Sequence, residues 1–309
     1  MNHVQALADF PLQGAFLSIG AFDGVHRGHQ QLLSGLVQAA HAAGAPAAVV
    51  TFHPHPAVVL RGLPAAYSLT SPSERARLFA GLGLDAVYTL PFTPELIALS
   101  AAEFVEQLRL HLGLREMWVG YDFALGRGRE GNIPYLQRLG EQTGFQLRVC
   151  RPVELEGQTI SSSQVRALLG TGDVRQAAQL LGRSFALQGP VVHGDGRGRG
   201  LGIPTANIQP WEGQLLPRNG VYATWATVKG VRRPAVTNVG LRPTFQNTPP
   251  IPRVEALLLD FDQDLYGQTV RLEFVQFLRP EQRFTGIEAL LEQIQADRRG
   301  AMEVLNHEV

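Results

Sequence analysis

The feature that most limits what this chain can fold into is a change of pattern near Gly182. Before it, short apolar runs at 15–19, 47–52, 86–90, 117–120 and 145–149 alternate with amphipathic stretches at 30–43, 73–82, 101–112 and 135–143. Short buried runs separated by helical periods predict parallel strands joined by crossover helices, with helices on both faces of the sheet. Ser71-Pro72-Ser73-Glu74 carries the signs of a helix start: a serine N-cap, proline at the first helical position and an acid three residues after the cap. Two further short helices are expected at 162–169 and 174–181. After Gly182 the segments 185–192, 221–228, 235–239, 254–259 and 270–277 are β-rich and punctuated by Gly and Pro. They predict a small antiparallel barrel, followed by an amphipathic helix at 287–298. The expectation is a Rossmann-like α/β domain over residues 1–182, then a β-barrel domain with a C-terminal helix over 183–309. A chain of 309 residues is long enough for two cores.

Composition removes several chemistries. Lys229 is the only lysine, and it lies in Val228-Lys229-Gly230 with no Ser or Thr after it, so no P-loop is possible. Phosphates must be met by arginine, histidine, backbone N–H groups or a metal ion. The formal net charge of +0 gives no global attraction to nucleic acid or to a membrane surface. Cys150 is the only cysteine, which rules out an intramolecular disulfide and fits a reducing compartment. No Lys or Arg precedes Arg27, and no apolar run approaches the ~20 residues of a membrane span. A cytoplasmic protein is expected, and no residue pattern specifies an oligomeric state.

Two segments carry chemistry. The run Gly20-Ala21-Phe22-Asp23-Gly24-Val25-His26-Arg27-Gly28-His29 follows the first strand and opens the first helix. Open parallel sheets bind ligands beyond the carboxyl ends of their strands, and a helix N-terminus favours an anion. His26 and His29, three apart, are expected on one face of the first turn, with Gly28 leaving room for a ligand near the backbone. Two imidazoles and free N–H groups suit ATP phosphates as charge builds at the α-phosphorus. A bare His-x-Gly-His is as readily an ordinary loop; it is the longer run and its placement that favour chemistry.

The second segment is Gly194-Asp195-Gly196-Arg197-Gly198-Arg199-Gly200-Leu201-Gly202-Ile203-Pro204-Thr205-Ala206-Asn207. Its glycines suit either a surface hairpin or a close approach to a ligand, and Arg197 and Arg199 suit phosphates. Thr205 and Asn207 fall on one face of an extended segment and offer two neutral oxygens to Mg²⁺, whose octahedron ATP phosphates and water would complete.

In order along nearly the whole chain, these segments resemble the bifunctional bacterial riboflavin kinase/FMN adenylyltransferase (FAD synthetase) family. Gly-x-Phe-Asp-Gly-x-His-x-Gly-His is similar to the signature of its nucleotidyltransferase half. Thr51-Phe52-His53-Pro54-His55-Pro56, Val119-Gly120-Tyr121-Asp122-Phe123 and Ile160-Ser161-Ser162-Ser163-Gln164-Val165-Arg166 match the same module. Pro204-Thr205-Ala206-Asn207 with the Gly-rich loop, 237–245, 254–261 and Arg279-Pro280-Glu281-Gln282-Arg283-Phe284 match the kinase module. The resemblance implies that riboflavin and ATP give FMN and ADP in the barrel, and that FMN and ATP give FAD and pyrophosphate in the nucleotidyltransferase domain. It implies that Gly20, Phe22, Asp23, Gly24, Gly28, Asp122, Ser162, Ser163 and Arg166 bind ATP or its phosphates beside His26 and His29. In the barrel it implies ATP phosphates on Gly196, Arg197, Gly198, Arg199 and Gly200, flavin on Asn238 and Arg242, Mg²⁺ on Thr205 and Asn207, and Glu255 as general base. Without that context, Glu255 reads as a salt-bridged strand residue and the serines as helix caps. The expected partners are riboflavin, FMN and ATP, with neither nucleic acid nor membrane.

Three other patterns point elsewhere. Gly126-Arg127-Gly128-Arg129-Glu130-Gly131 fits Gly-x-Gly-x-x-Gly but not in the first strand–helix turn, where dinucleotide fingerprints sit. His53 and His55 suggest a metal pair but lack an evident third ligand. Asp260, Asp262 and Asp264 begin like a calcium loop, yet Leu265 stands where glycine is needed and Arg271 where the bidentate glutamate belongs. Two positions depart from the family: Leu257, where many members have histidine, and the Pro-rich segment 246–252.

Overall fold

A computed structural model describes residues 1–194, 203–242, 251–261 and 263–307, the side chains of Arg242, Ile251 and Pro252 excepted. It divides into two compact units, Met1–Ser162 and Ser163–Val309.

The first unit is a parallel sheet wrapped by helices. Its strands are β1 (Asn2–Val4), β2 (Phe16–Ile19), β3 (Ala47–His53), β4 (Ala86–Pro91) and β5 (Glu116–Gly120). A short hairpin follows, β6 (Ala124–Leu125) with β7 (Gly131–Asn132), and then β8 (Gln146–Cys150). The main sheet runs β1-β4-β3-β2-β5-β8, every neighbouring pair parallel. Alternation sends each strand's side chains to two cores. Leu17, Ile19, Ala48, Val50 and Tyr88 pack on one face with Phe104, Val105, Leu108 and Leu112 of α5 (Ala101–Leu112). Phe16, Val49, Val87 and Trp118 pack on the other. That side is covered by Leu33, Leu36, Val37 and Ala40 of α1 (Arg27–Ala42) and Phe79 of α3 (Pro72–Gly81). The short helices α2 (Pro56–Arg61) and α4 (Pro94–Ala98), with α6 (Ile133–Thr143), complete the connections. The Ser71 cap forms as expected, its hydroxyl accepting from the Glu74 N–H at 3.2 Å with Pro72 next to it. The chain winds outward from β2 through β3 to β4, then returns to the other side of β2 for β5. The switch point between β2 and β5 is where such sheets open a crevice.

The second unit begins one residue into α7 (Ser162–Thr171) and continues with α8 (Val174–Leu181). After β9 (Glu154–Leu155) and β10 (Gln158–Thr159), which pair ahead of α7, the remaining strands are β11 (Phe185–Val192), β12 (Ala206–Ile208) and β13 (Gly220–Val228). They continue with β14 (Val231–Arg242), β15 (Ile251–Leu258) and β16 (Thr269–Arg279). These close an antiparallel barrel in the order β11-β12-β15-β14-β13-β16. Phe185, Tyr222 and Phe274 fill it ring against ring, and Thr224 and Thr237 share a 2.7 Å hydroxyl hydrogen bond in the same buried layer. The alternate positions Val221, Ala223, Val236, Leu257 and Val275 face outward and pack with Ala301 and Leu305 of the C-terminal helix, Ile287–Asn306. Leu257 is therefore part of an apolar layer. The fold class is the expected one, a Rossmann-like α/β parallel-sheet domain and a small antiparallel barrel with a C-terminal helix.

Candidate active sites

In the first unit, the expected segment leaves β2 at the switch point as a tight turn. Phe22 and Val25 hold positive φ angles of 47° and 42°, and Gly24 one of 78°. Non-glycine residues stay there only where their surroundings over-determine the backbone. Asp23, 1% exposed, supplies much of that determination. Both carboxylate oxygens accept from the Leu69 N–H at 2.9 Å, and Oδ1 also accepts from the Thr70 N–H at 3.2 Å. The Gly24 N–H donates to Thr70 Oγ1, the Thr51 hydroxyl to the Ala21 carbonyl, and the Ser162 hydroxyl to the Asp23 carbonyl at 2.8 Å. The Asp23 carboxylate thus holds the turn's own architecture.

His26 caps α1 instead of lying in its first turn: its Nδ1 accepts from the His29 N–H at 3.4 Å. That bond needs a lone pair on Nδ1, so a neutral His26 carries its proton on Nε2. The two imidazoles stack with centroids 3.6 Å apart and planes 20° from parallel. The Phe22 ring meets His29 edge-on. A Cβ on Gly28 would stand 3.2 Å from the His26 ring, and one on Gly20 would stand 3.1 Å from the Phe22 ring. The space these glycines leave is taken by the site's own rings. His29 has its Nδ1 enclosed without a partner. Burial first, then the His26 and Arg75 charges, push its pKa well below the usual histidine value. With His29 held neutral by its burial, the stacked pair at a helix entrance can donate to phosphate oxygens.

The other residues expected with this turn come from distant parts of the chain. Asp122 is exposed just past the end of β5, its carbonyl accepting from Arg129. Ser162 begins α7; Ser163 and Arg166 follow on that helix in the second unit. His55 caps α2 through Nδ1, which accepts from the Ala57 N–H at 3.0 Å, so that nitrogen is already engaged. Gly126 and Gly131 have a packing reason for being glycine: Cβ atoms there would lie 2.5 Å from the Ala101 nitrogen and 2.6 Å from the Ala101 Cβ.

In the second unit, strand register assembles the expected kinase residues. Asn207 on β12 pairs with Glu255 on β15, and Glu255 pairs with Asn238 on β14. Directly paired residues point to the same side of a sheet, so the three form one row. Thr205, Asn238 and Glu255 line a cavity of about 210 Å³ on the barrel's outer face, with an apolar floor including Ile203, Val236 and Leu257. Arg253 forms a short ion pair with Glu255. The Asn238 amide donates to Glu281 at 3.2 Å. A Cβ on Gly194 would stand 2.2 Å from Asn207 Nδ2, so that glycine leaves room for the amide. Gly196, Arg197, Gly198, Arg199, Gly200, residues 243–250 and the Arg242 side chain lie outside the described residues, as does Asp262.

Sequence reasoning missed several groups. Arg75, 3% exposed, donates to the Ala21 and Phe52 carbonyls at 3.0 and 3.1 Å. Asp297, also buried, takes a bidentate ion pair from Arg279 at 2.8 and 2.7 Å and a further bond from Gln293. Both were detectable as charges on the apolar stripe of an amphipathic helix, Arg75 beside Ala76 and Phe79, Asp297 between Ile294 and Ala301.

Two family models match the chain, FAD synthetase over residues 11–164 and riboflavin kinase over 181–305. A bifunctional riboflavin kinase/FMN adenylyltransferase of Pseudomonas fluorescens is 41% identical over 92% of this chain and 91% of its own length. Proteins of the same description from Escherichia coli K12 and Bacillus subtilis 168 are 38% and 35% identical, covering 97% and 94% of the chain and 96% and 92% of the relatives. A crystal structure named as a macrolide-efflux protein of Streptococcus pneumoniae superposes with a TM-score of 0.86 at 29% identity, over 96% of this chain and 97% of that one.

Proposed function

The chain belongs to the bifunctional riboflavin kinase/FMN adenylyltransferase family, and we propose on that premise a division of phosphate chemistry between its two units. The enzyme phosphorylates riboflavin to FMN and adenylylates FMN to FAD, with ATP as co-substrate of both steps. The adenylyltransferase is assigned to residues 1–182 and the kinase to 183–309. What carries the assignment is that each unit holds its own constellation, the stacked His26–His29 pair at a sheet switch point and the Asn207–Glu255–Asn238 row beside a cavity.

In the kinase, Glu255 takes the proton of riboflavin's terminal ribityl hydroxyl as that oxygen bonds to the γ-phosphorus and the bond to ADP breaks. Arg253 fixes the carboxylate's direction. A positioned base of this kind contributes about 10²–10⁴ in rate. The apolar floor suits the flavin ring, and Asn238 and Arg242 its polar groups. Thr205 and Asn207 fit Mg²⁺, since two neutral oxygens beside a carboxylate match a hard cation's preference. When bound, Mg²⁺ neutralises phosphate charge. The Gly196–Gly200 stretch with Arg197 and Arg199 is assigned to the triphosphate.

In the adenylyltransferase, a phosphate oxygen of FMN attacks the α-phosphorus and pyrophosphate leaves. The imidazoles and the N–H groups opening α1 donate to the oxygens that gain charge, while Asp122 and Ser162 position the nucleotide. Gly20, Phe22, Asp23, Gly24 and Gly28 shape the turn that makes this possible. No helix among the described residues is long and apolar enough to cross a membrane. The assigned compartment is the cytoplasm, where ATP and a reduced Cys150 are at home.

Incubating the pure protein with riboflavin, ATP and Mg²⁺ and resolving the flavins by chromatography tests the assignment. FMN followed by FAD is expected. FMN that never becomes FAD would overturn the first site, and FAD formed only from supplied FMN would overturn the second.

A further inference from the structure

We propose that Arg75 is a positioning residue for adenylyl transfer, a buried guanidinium fork that ties the exit of β2 to the exit of β3 and so fixes the turn carrying His26 and His29. The proposal rests on the assignment of that turn to FAD formation. Arg75 comes from the first turns of α3, whose neighbours Ala76 and Phe79 are buried apolar residues. The fold alone would be served there by another apolar side chain, because a cation is costly to take out of water. Among the described residues no carboxylate is hydrogen-bonded to it; its two terminal nitrogens go to the Ala21 and Phe52 carbonyls. Ala21 lies inside the strained turn, and Phe52 lies near the end of β3, paired with Leu90 of β4. One rigid planar group therefore sets the spacing of the ends of the neighbouring strands β2 and β3. Lysine, a point charge on a flexible stem, carries the charge without the fork. Nε is enclosed without a partner, so the guanidinium's fit is set by the two carbonyls and not by a fuller network.

The charge has a second consequence. Asp23 faces Arg75 from the turn, His29 from α1, His53 from β3 and His3 from β1. His26 adds its own influence on His29. The Asp23 carboxylate is engaged by Leu69 and Thr70, and Glu74, next along the helix, pairs with Arg77. Arg75 thus stands as a fixed positive charge that opposes protonation of the imidazoles around it.

The test uses the full-length chain as wild type, R75K and R75M. FAD formation from FMN and ATP gives kcat and KM; FMN formation from riboflavin in the same preparations monitors the other unit; the His29 ring is titrated by NMR. Both variants are expected to lose more than about tenfold in kcat for FAD with KM for ATP changed less, as displaced catalytic groups do. Kinase activity should hold within about twofold. His29 should take up its proton at higher pH in R75M, and R75K should leave that titration near wild type. Wild type without FAD synthesis would defeat the parent assignment. Wild type with FAD synthesis would overturn the present one if either variant matched its kcat, or if R75M left the His29 titration unmoved, the result of a merely structural role. Should R75M fail to fold, R75K decides: a folded R75K with full FAD synthesis overturns the proposal.

Discussion

His29 shows how much a single position can depend on its enclosure. Its folded pKa lies well below the ordinary histidine value of about 6.5, mainly through burial. Above that value neither state is protonated and the group contributes nothing to pH dependence. As pH falls through it, the unfolded chain binds a proton that the folded one refuses, so stability drops until the folded pKa is reached. Denaturant melts of the first unit's transition are expected to weaken between pH 7.5 and 5, with His29→Gln flattening part of that slope. At pH 7.5, His26→Ala or His29→Ala is expected to cost FAD synthesis about 10²–10³ in kcat, the usual loss for a removed charge-stabilising donor, and to spare FMN synthesis. Glu255→Gln is expected to do the reverse, abolishing FMN formation and leaving FAD formation from supplied FMN. The histidines were legible because they stand in one contiguous run. The use made of Asp23 was not, since its partners Leu69 and Thr70 come from another loop. The Arg253 partner of Glu255 sits two residues away on the same strand, a spacing that says nothing until the pairing face is known.

Secondary elements were read well where pattern and packing agree, and badly where a local stop sign was overruled. Arg298-Arg299-Gly300 looks like the basic last turn and terminal glycine of a helix. The C-terminal helix runs on to Asn306 because Ala301 and Leu305, fully buried, reward its continuation. β1 and β12 are three residues each, too short to show alternation, and exist only through their neighbours. β12 is also sensitive. A Cβ on Gly189 of β11 would stand 1.8 Å from the Gln209 carbonyl oxygen just beyond β12. Gly189→Ala should force the two strands apart, at a cost of about 1–3 kcal/mol or more, and depress kinase activity while FAD formation from FMN persists. Parallel assays and thermal melts would show it. Removing one partner of a buried ion pair typically costs ~3–5 kcal/mol. Asp297→Ala, which strands the Arg279 guanidinium beside the cavity, should therefore melt the barrel early and raise KM for riboflavin.

At the scale of the whole chain, the class of each half was legible, but not the order of its strands. Periodicity is a property of one segment, whereas the switch point between β2 and β5 and the closure of β11 on β16 arise from long-range pairing. The two helices before Gly182 illustrate the limit. α8 buries Val174, Ala177, Leu180 and Leu181 and packs on β11 and β16, although pattern alone assigned it to the α/β half. A fragment of residues 163–309 is accordingly expected to melt higher than one of 183–309. Equal melting temperatures would show that α7 and α8 add nothing to the barrel. The register that lines up Asn207, Glu255 and Asn238 has a different vulnerability. A ring of strands has no free edge, so gain or loss of a single residue within β15 changes its register against both neighbours unless a bulge, such as those between β13 and β16, takes it up. A register slip turns Glu255 to the opposite side of the wall, and this part of the enzyme should therefore forgive exchanges of side chain more readily than changes in length.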